Sequence, residues 1–304
     1  MSTPLAGIVH AGRSLSGQAG DPYEGAVAAS GDLAVTVWYS PIQGPAGMIL
    51  ELASSASAVN PSFAALLDDG FWQGSFRQVW DCAVAPDALF VTMFTYRGAG
   101  GSVEEPGLAR YSPAGVRQAV VNPGSQRVVV ADASGPVYTF GNSSLTIRDR
   151  STLAPSSTVT LSGQGYDIES LADAALGPES NAQRASFWLL GRKGADVRVQ
   201  QVTVQGGAVT QVATLLATSI PAGESPVGIA IDNLFFYVLW SAANSRVRAY
   251  RRVDGQEVAS YTHPSLGRAR GLALARGAGG RQLIILGENT DPSQNASGRL
   301  FLVR

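Results

Sequence analysis

Short runs of alternating or continuous apolar residues, cut by Gly, Asn, Asp and Pro, follow one another from residue 24 to the C-terminus. No stretch carries the 3.6-residue apolar period of an amphipathic helix, so a helix-on-sheet architecture has no material and the chain is expected to be all-β. The clearest case is 225–263, SPVGIAIDNLFFYVLWSAANSRVRAYRRVDGQEVASYTH. Here Val227, Ile229 and Ile231 alternate onto one face, Phe235–Trp240 is a continuous apolar run suited to a strand buried on both sides, and Arg246–Arg252 and Glu257–His263 alternate again. Turn residues at Asp232-Asn233, Ala243-Asn244 and Asp254-Gly255 separate the four, giving an antiparallel meander.

Comparable units begin at Glu24, Asp81, near Gln126, at Asp167, Ser225 and Arg268. The starts lie roughly 40–60 residues apart, the spacing of propeller blades with loops of varying length. The expected fold is a six-bladed β-propeller of four-stranded antiparallel blades, spanning 22–76, 77–122, 123–164, 165–222, 223–264 and 265–304 as one domain. A seven-unit division stays open, since a long insertion could hide strands. The last unit is one strand short, and the apolar segment Leu5–Ala11 is expected to supply it by pairing with Gly298–Arg304, which closes the ring and leaves no open edge.

Within 225–252, the residues Pro226, Gly228, Ile229, Ala230, Ile231 and Asp232, then Tyr237-Val238, then Asn244, Arg246 and Val247 resemble a blade of the NHL-repeat and gluconolactonase-like superfamily. RGLALARG at 270–277 echoes the start of that pattern. The resemblance implies a propeller with ligand sites at the mouth of its central channel, and lactonase-like members imply a divalent cation held by oxygen ligands. Where those members carry an aspartate in a P-D-G blade start, this chain has Val227.

Aligning the blades on Gly228-Ile229-Ala230 places Glu24, Asp81, Gln126 or Arg127, Glu169, Val227 and Arg270 on the channel axis. Two readings compete for this set. In one, Arg270 and Arg127 neutralise the carboxylates as a structural plug; in the other, Glu24, Asp81 and Glu169 hold Ca²⁺ or another divalent cation. An alignment off by one residue would turn each side chain to the opposite face.

Other chemistries lack residues. With His10 and His263 as its two histidines, the chain offers little for a Ser-His-Asp set or a histidine-rich metal site. Cys82, the single cysteine, sits in an inner strand and reads as a small buried apolar group. A net charge of −1 with no basic block argues against nucleic acid as a partner, and no run reaches the length of a membrane span. The N-terminus lacks a signal-peptide pattern, so synthesis in the cytoplasm is the expectation.

A second place for function is Asn60–Arg77, where Phe63, Phe71, Trp72 and Phe76 offer more aromatic surface than a connector requires. The glycine-rich stretch from Arg97 to Glu104 and Glu105 is expected to be a loop presented by the second blade. Together these features point to a soluble, non-enzymatic interaction module without a cofactor, recognising a protein or glycan. Of 22 basic residues one is lysine, Lys193, and that arginine skew, with the lack of an export signal, suggests a component of a larger assembly such as a bacteriophage virion.

Overall fold

A computed structural model describes residues 8–14, 25–31, 33–40, 44–52, 59–66, 76–97, 103–122, 127–131, 134–181, 183–264, 266–277, 280–289 and 298–303. Strand β1 (Ile8–Ser14) precedes a first complete sheet of β2 (Ala26–Ser30), β3 (Leu33–Ser40), β4 (Gly44–Leu52) and β5 (Val59–Leu66). The second sheet holds β6 (Phe76–Ala85), β7 (Ala88–Arg97), β8 (Val103–Tyr111) and β9 (Arg117–Val121), and the third β10 (Arg127–Val130), β11 (Val137–Phe140), β12 (Ser144–Arg148) and β13 (Pro155–Thr160). The fourth is β14 (Ser170–Leu176), β15 (Arg184–Lys193), β16 (Asp196–Gln205) and β17 (Ala208–Ser219). The fifth is β18 (Ser225–Ile231), β19 (Phe235–Ser241), β20 (Arg246–Arg251) and β21 (Glu257–Thr262). Last come β22 (Leu266–Gly277), β23 (Gly280–Asn289) and β24 (Gly298–Val303).

Among the described residues these strands make six four-stranded sheets, each an antiparallel meander apart from the last, whose order is β22-β23-β24-β1. The first strand of each sheet packs on the first strand of the next: β2 on β6, then β10, β14, β18, β22 and back to β2. Upright sheets arranged in a closed circle are a β-propeller. Its ring is sealed by β1, which pairs with β24 from Ile8↔Val303 to Ser14↔Arg299. The sealing strand therefore lies three residues further along the chain than Leu5–Ala11, with Leu5–Gly7 outside the described residues. Irregularities at His10 and before Arg13 let it follow the partner's twist.

Large aromatic residues fill the spaces between blades. Between the third and fourth, Tyr138 and Phe140 meet Phe187 edge-on at 4.8 and 5.1 Å. Between the fourth and fifth, Trp188, Phe236, Trp240 and Tyr250 share one buried cluster. Burying each such side chain contributes about 2 kcal/mol, which is why the continuous apolar run Phe235–Trp240 becomes a middle strand covered on both faces.

Two expectations about insertions are corrected. Asn60–Leu66 belongs to β5 and Phe76-Arg77 opens β6, so Phe63 and Phe76 stand on paired strands, while 67–75 lie outside the described residues. Phe71 and Trp72 fall outside the described residues. Likewise Arg97 ends β7 and pairs with Val103, and Glu104 and Glu105 lie in β8 opposite Tyr96 and Thr95, so both ends of the stretch expected to be a loop belong to the hairpin ladder, with 98–102 outside the described residues.

Candidate functional site

The central channel is walled by the six inner strands and encloses about 220 Å³. Toward the turns that join first to second strands it is apolar, lined by residues such as Val84, Val130, Leu176, Ile231 and Leu274. At the opposite mouth stand Asp81, Arg127, Asp173 and Arg270.

Each of four inner strands carries a bulge near its start, at Trp80, Ala172, Val227 and Arg270, before a regular ladder resumes. The residues after the bulges, Asp81, Asp173, Gly228 and Gly271, are therefore structurally equivalent. The alignment that paired Asp81 with Val227 and Arg270 is off by one: the same bulge stands in all three strands, and the comparison set Cys82 instead of Asp81 against Gly228. In the fourth blade the error is four residues. Glu169 precedes β14, is exposed, and accepts the Gly194 N–H at 2.9 Å, while Asp173 occupies the channel. Glu24 lies outside the described residues. The shared pattern Asp-x-Ala-Val and Asp-x-Ala-Leu at 81–84 and 173–176 was the sequence signal that pointed to Asp173.

Both aspartates do the same work. Asp81 accepts the N–H of Cys82 through Oδ1 and that of Val128, on the next blade, through Oδ2, each at 2.9 Å. Asp173 accepts from Ala174 at 2.8 Å and from Ile229, again on the next blade, at 2.7 Å. Arg127 opens the inner strand between them and donates Nη1 to the Trp80 carbonyl at 2.8 Å. Burial, then the charge of Asp173, pushes Asp81 up to about 7, against the pull of Arg127 and the two N–H donors. Burial pushes Asp173 up to about 6, with Arg127 again opposing. Burial, with both aspartates nearby, raises the Cys82 thiol well above its ordinary value, so Cys82 is a protonated, buried packing group rather than a nucleophile.

The motif residues of the fifth blade have comparable structural tasks. A Cβ at Gly228 would stand 2.9 Å from the Leu272 Cβ and 3.1 Å from the Leu272 nitrogen, so glycine lets the sixth blade approach. Asp232 holds the first turn by accepting the N–H groups of Leu234 and Phe235, both at 2.7 Å, and takes the Tyr237 hydroxyl at 2.8 Å and an Arg281 ion pair at 2.5 Å. Ser245, in the next turn, accepts the Ala269 N–H of the sixth blade at 2.8 Å.

A second concavity opens on the apolar mouth of the channel. A pocket of about 580 Å³ begins among Ala29, Ile231, Leu274 and Arg276 and runs outward past Pro136, Tyr138 and Asn181. Pro136, Tyr138, Asn181 and Ala185 also line a pocket of about 470 Å³ that continues to Arg184 and the Gly206-Gly207 turn. The two form one radial groove between the third and fourth blades. Its cause is a mismatch of length: β10 and β11 have 4 residues each, whereas β15 and β16 have 10.

No family model matches the chain, and no curated protein sequence does. Among solved structures it is similar to a chain of Kuenenia stuttgartiensis hydrazine synthase, with a TM-score of 0.50 and 10% identity over 90% of this chain and 78% of that one. BamB from Moraxella catarrhalis gives a TM-score of 0.46 at 10% identity over 96% and 100% of the two chains, and the Dos1 propeller 0.45 at 9% over 96% and 73%. At such identities the shared property is the fold, an all-β propeller of four-stranded antiparallel blades.

Proposed function

We propose that this protein is a six-bladed interaction propeller without catalytic activity, a rigid disc whose partner is a protein or a glycan. The observation that carries the reading is how the axial carboxylates are used. Both oxygens of Asp81 and of Asp173 accept backbone N–H groups, so they lace adjacent blades together instead of converging on a reacting atom. Among the described residues no three His, Cys, Asp or Glu side chains gather as a metal site, and none of the helix type long and apolar enough to cross a membrane is present. Among the described residues the groove between the third and fourth blades is open to a partner on the apolar face of the ring.

The NHL-like character of the fifth blade fits this reading, since Gly228 and Asp232 serve blade contact and turn closure. Membership of a larger assembly such as a phage virion extends the proposal and rests on composition. The rival is a divalent-metal lactonase-like hydrolase at the channel mouth, and its set of Glu24, Asp81 and Glu169 would have to do without Glu169, which faces solvent on Gly194. Elemental analysis followed by lactone and phosphotriester assays with added Ca²⁺ separates the two. Substoichiometric metal and no turnover are expected. Bound metal together with hydrolysis that Asp81→Asn abolishes would overturn the interaction reading.

A further inference from the structure

We infer that the radial groove between the third and fourth blades binds an extended acidic peptide segment of the partner; this rests on the interaction-module reading and names its site and ligand chemistry. Among the described residues that line the groove the charged ones are Arg276 at its axial end and Arg184 at its outer end, and none is a carboxylate. Both arginines are exposed. Elsewhere in the fourth and fifth blades five arginines meet carboxylates, Arg198 at Asp196 and Asp167, Arg246 and Arg248 at Glu224, Arg251 at Asp254 and Arg252 at Glu179, while Arg192 donates to the Ser225 hydroxyl. Arg276 has a single backbone carbonyl, that of Ile231 at 3.2 Å, and Arg184 pairs with no carboxylate among the described residues.

Asn181 adds a donor midway. Its Oδ1 is occupied by the N–H groups of Gln183 and Arg184, both at 3.0 Å, which leaves the Nδ2 hydrogens for a ligand. The groove is thus donor-rich and cationic at both ends, and the complementary ligand carries carboxylates along an extended backbone. A sugar chain is disfavoured because the aromatic residue here, Tyr138, is 7% exposed with its ring packed edge-on against Phe187, so no ring face is offered for stacking.

The test is fluorescence anisotropy with a labelled peptide of alternating Glu and Thr, a second of alternating Gln and Thr, and an oligogalacturonate. Salt-sensitive binding of the Glu peptide is expected, weakened at least about tenfold by Arg184→Glu with Arg276→Glu and absent for the Gln peptide. Equal binding to the double variant, binding of the Gln peptide, preference for the oligogalacturonate, or no binding would each overturn the proposal. To separate this from failure of the module reading, a photo-crosslinking residue is placed at Gln183, beside the groove, and at Asn244, on the opposite face. Capture of a native-source protein through Asn244 alone overturns the groove and leaves the module reading standing. Hydrolytic turnover with no capture at either position overturns both.

Discussion

The same position in successive inner strands is filled in two chemically opposite ways. After the bulge, the second and fourth blades place Asp81 and Asp173, while the fifth and sixth place Gly228 and Gly271. An aspartate spans the gap to the next blade and accepts its N–H; a glycine removes the gap, so the neighbouring strand moves in until a Cβ would not fit. At Gly271 that atom would lie 2.7 Å from the Val27 Cγ1. A buried N–H needs a partner, and a buried backbone needs close packing, so both devices hold the ring. They differ in what they commit the protein to, because the aspartates introduce charge and require Arg127 between them.

That requirement sets the largest expected effect. Arg127→Met removes the cation that stands between two partly buried carboxylates, leaving Arg270 at the same mouth, and is expected to cost about 3–5 kcal/mol at pH 8, with Arg127→Lys recovering part of it. Urea denaturation is the measurement, and a loss below about 1 kcal/mol would mean the backbone N–H groups alone sustain the aspartates. Asp173→Ala comes next, at about 2–3 kcal/mol, since it orphans the Ile229 N–H. Asp173→Asn, which keeps one acceptor, should retain most of that stability.

The glycine side of the comparison is expected to be softer. Gly228→Ala drives a methyl into the Leu272 Cβ and nitrogen, which are fixed to the backbone, and should cost about 2 kcal/mol. Gly271→Ala meets mainly the Val27 Cγ1, the end of a side chain that can turn, and should cost about 1 kcal/mol. Thermal midpoints that fall equally for both would show that the two contacts are equally rigid.

The strand repeat was legible because period-2 alternation and turn residues are local properties. Blade registration was not. Before the pairing with β15 is known, the short match of Asp-x-Ala-Val at 81–84 to Asp-x-Ala-Leu at 173–176 is the signal that favours Asp173 over Glu169, and four residues are too few to fix a register. The turn signals were also overread. Glu104 and Glu105 sit in the ladder of β7 and β8, where the charge and glycine content of the neighbouring sequence had suggested a loop. The groove was invisible in the sequence for a related reason: it arises from four-residue strands standing beside ten-residue ones, a relation between blades and not a property of either.

The last comparison separates the two devices by pH. An aspartate in the unfolded chain titrates near 3.8, and both axial aspartates are raised above that in the fold, to about 7 and about 6. Between these values the folded protein retains protons that the unfolded chain has released. Their contribution to stability is therefore fully present below about 3.8 and is lost as pH rises through about 6 to 7. Carboxylates held below their ordinary value run the other way: Asp87, kept low by its hydrogen bond to Arg150, loses its contribution as pH falls. The difference between wild type and Asp81→Asn isolates the axial effect, since the amide keeps the shape and does not titrate. Relative to wild type, Asp81→Asn should gain about 1–2 kcal/mol on going from pH 5 to pH 8, whereas Gly228→Ala should show the same deficit at both. Parallel pH profiles for wild type and Asp81→Asn would mean that Arg127 already neutralises the pair in full, and the distinction between a charged stitch and a glycine contact would then be one of shape alone.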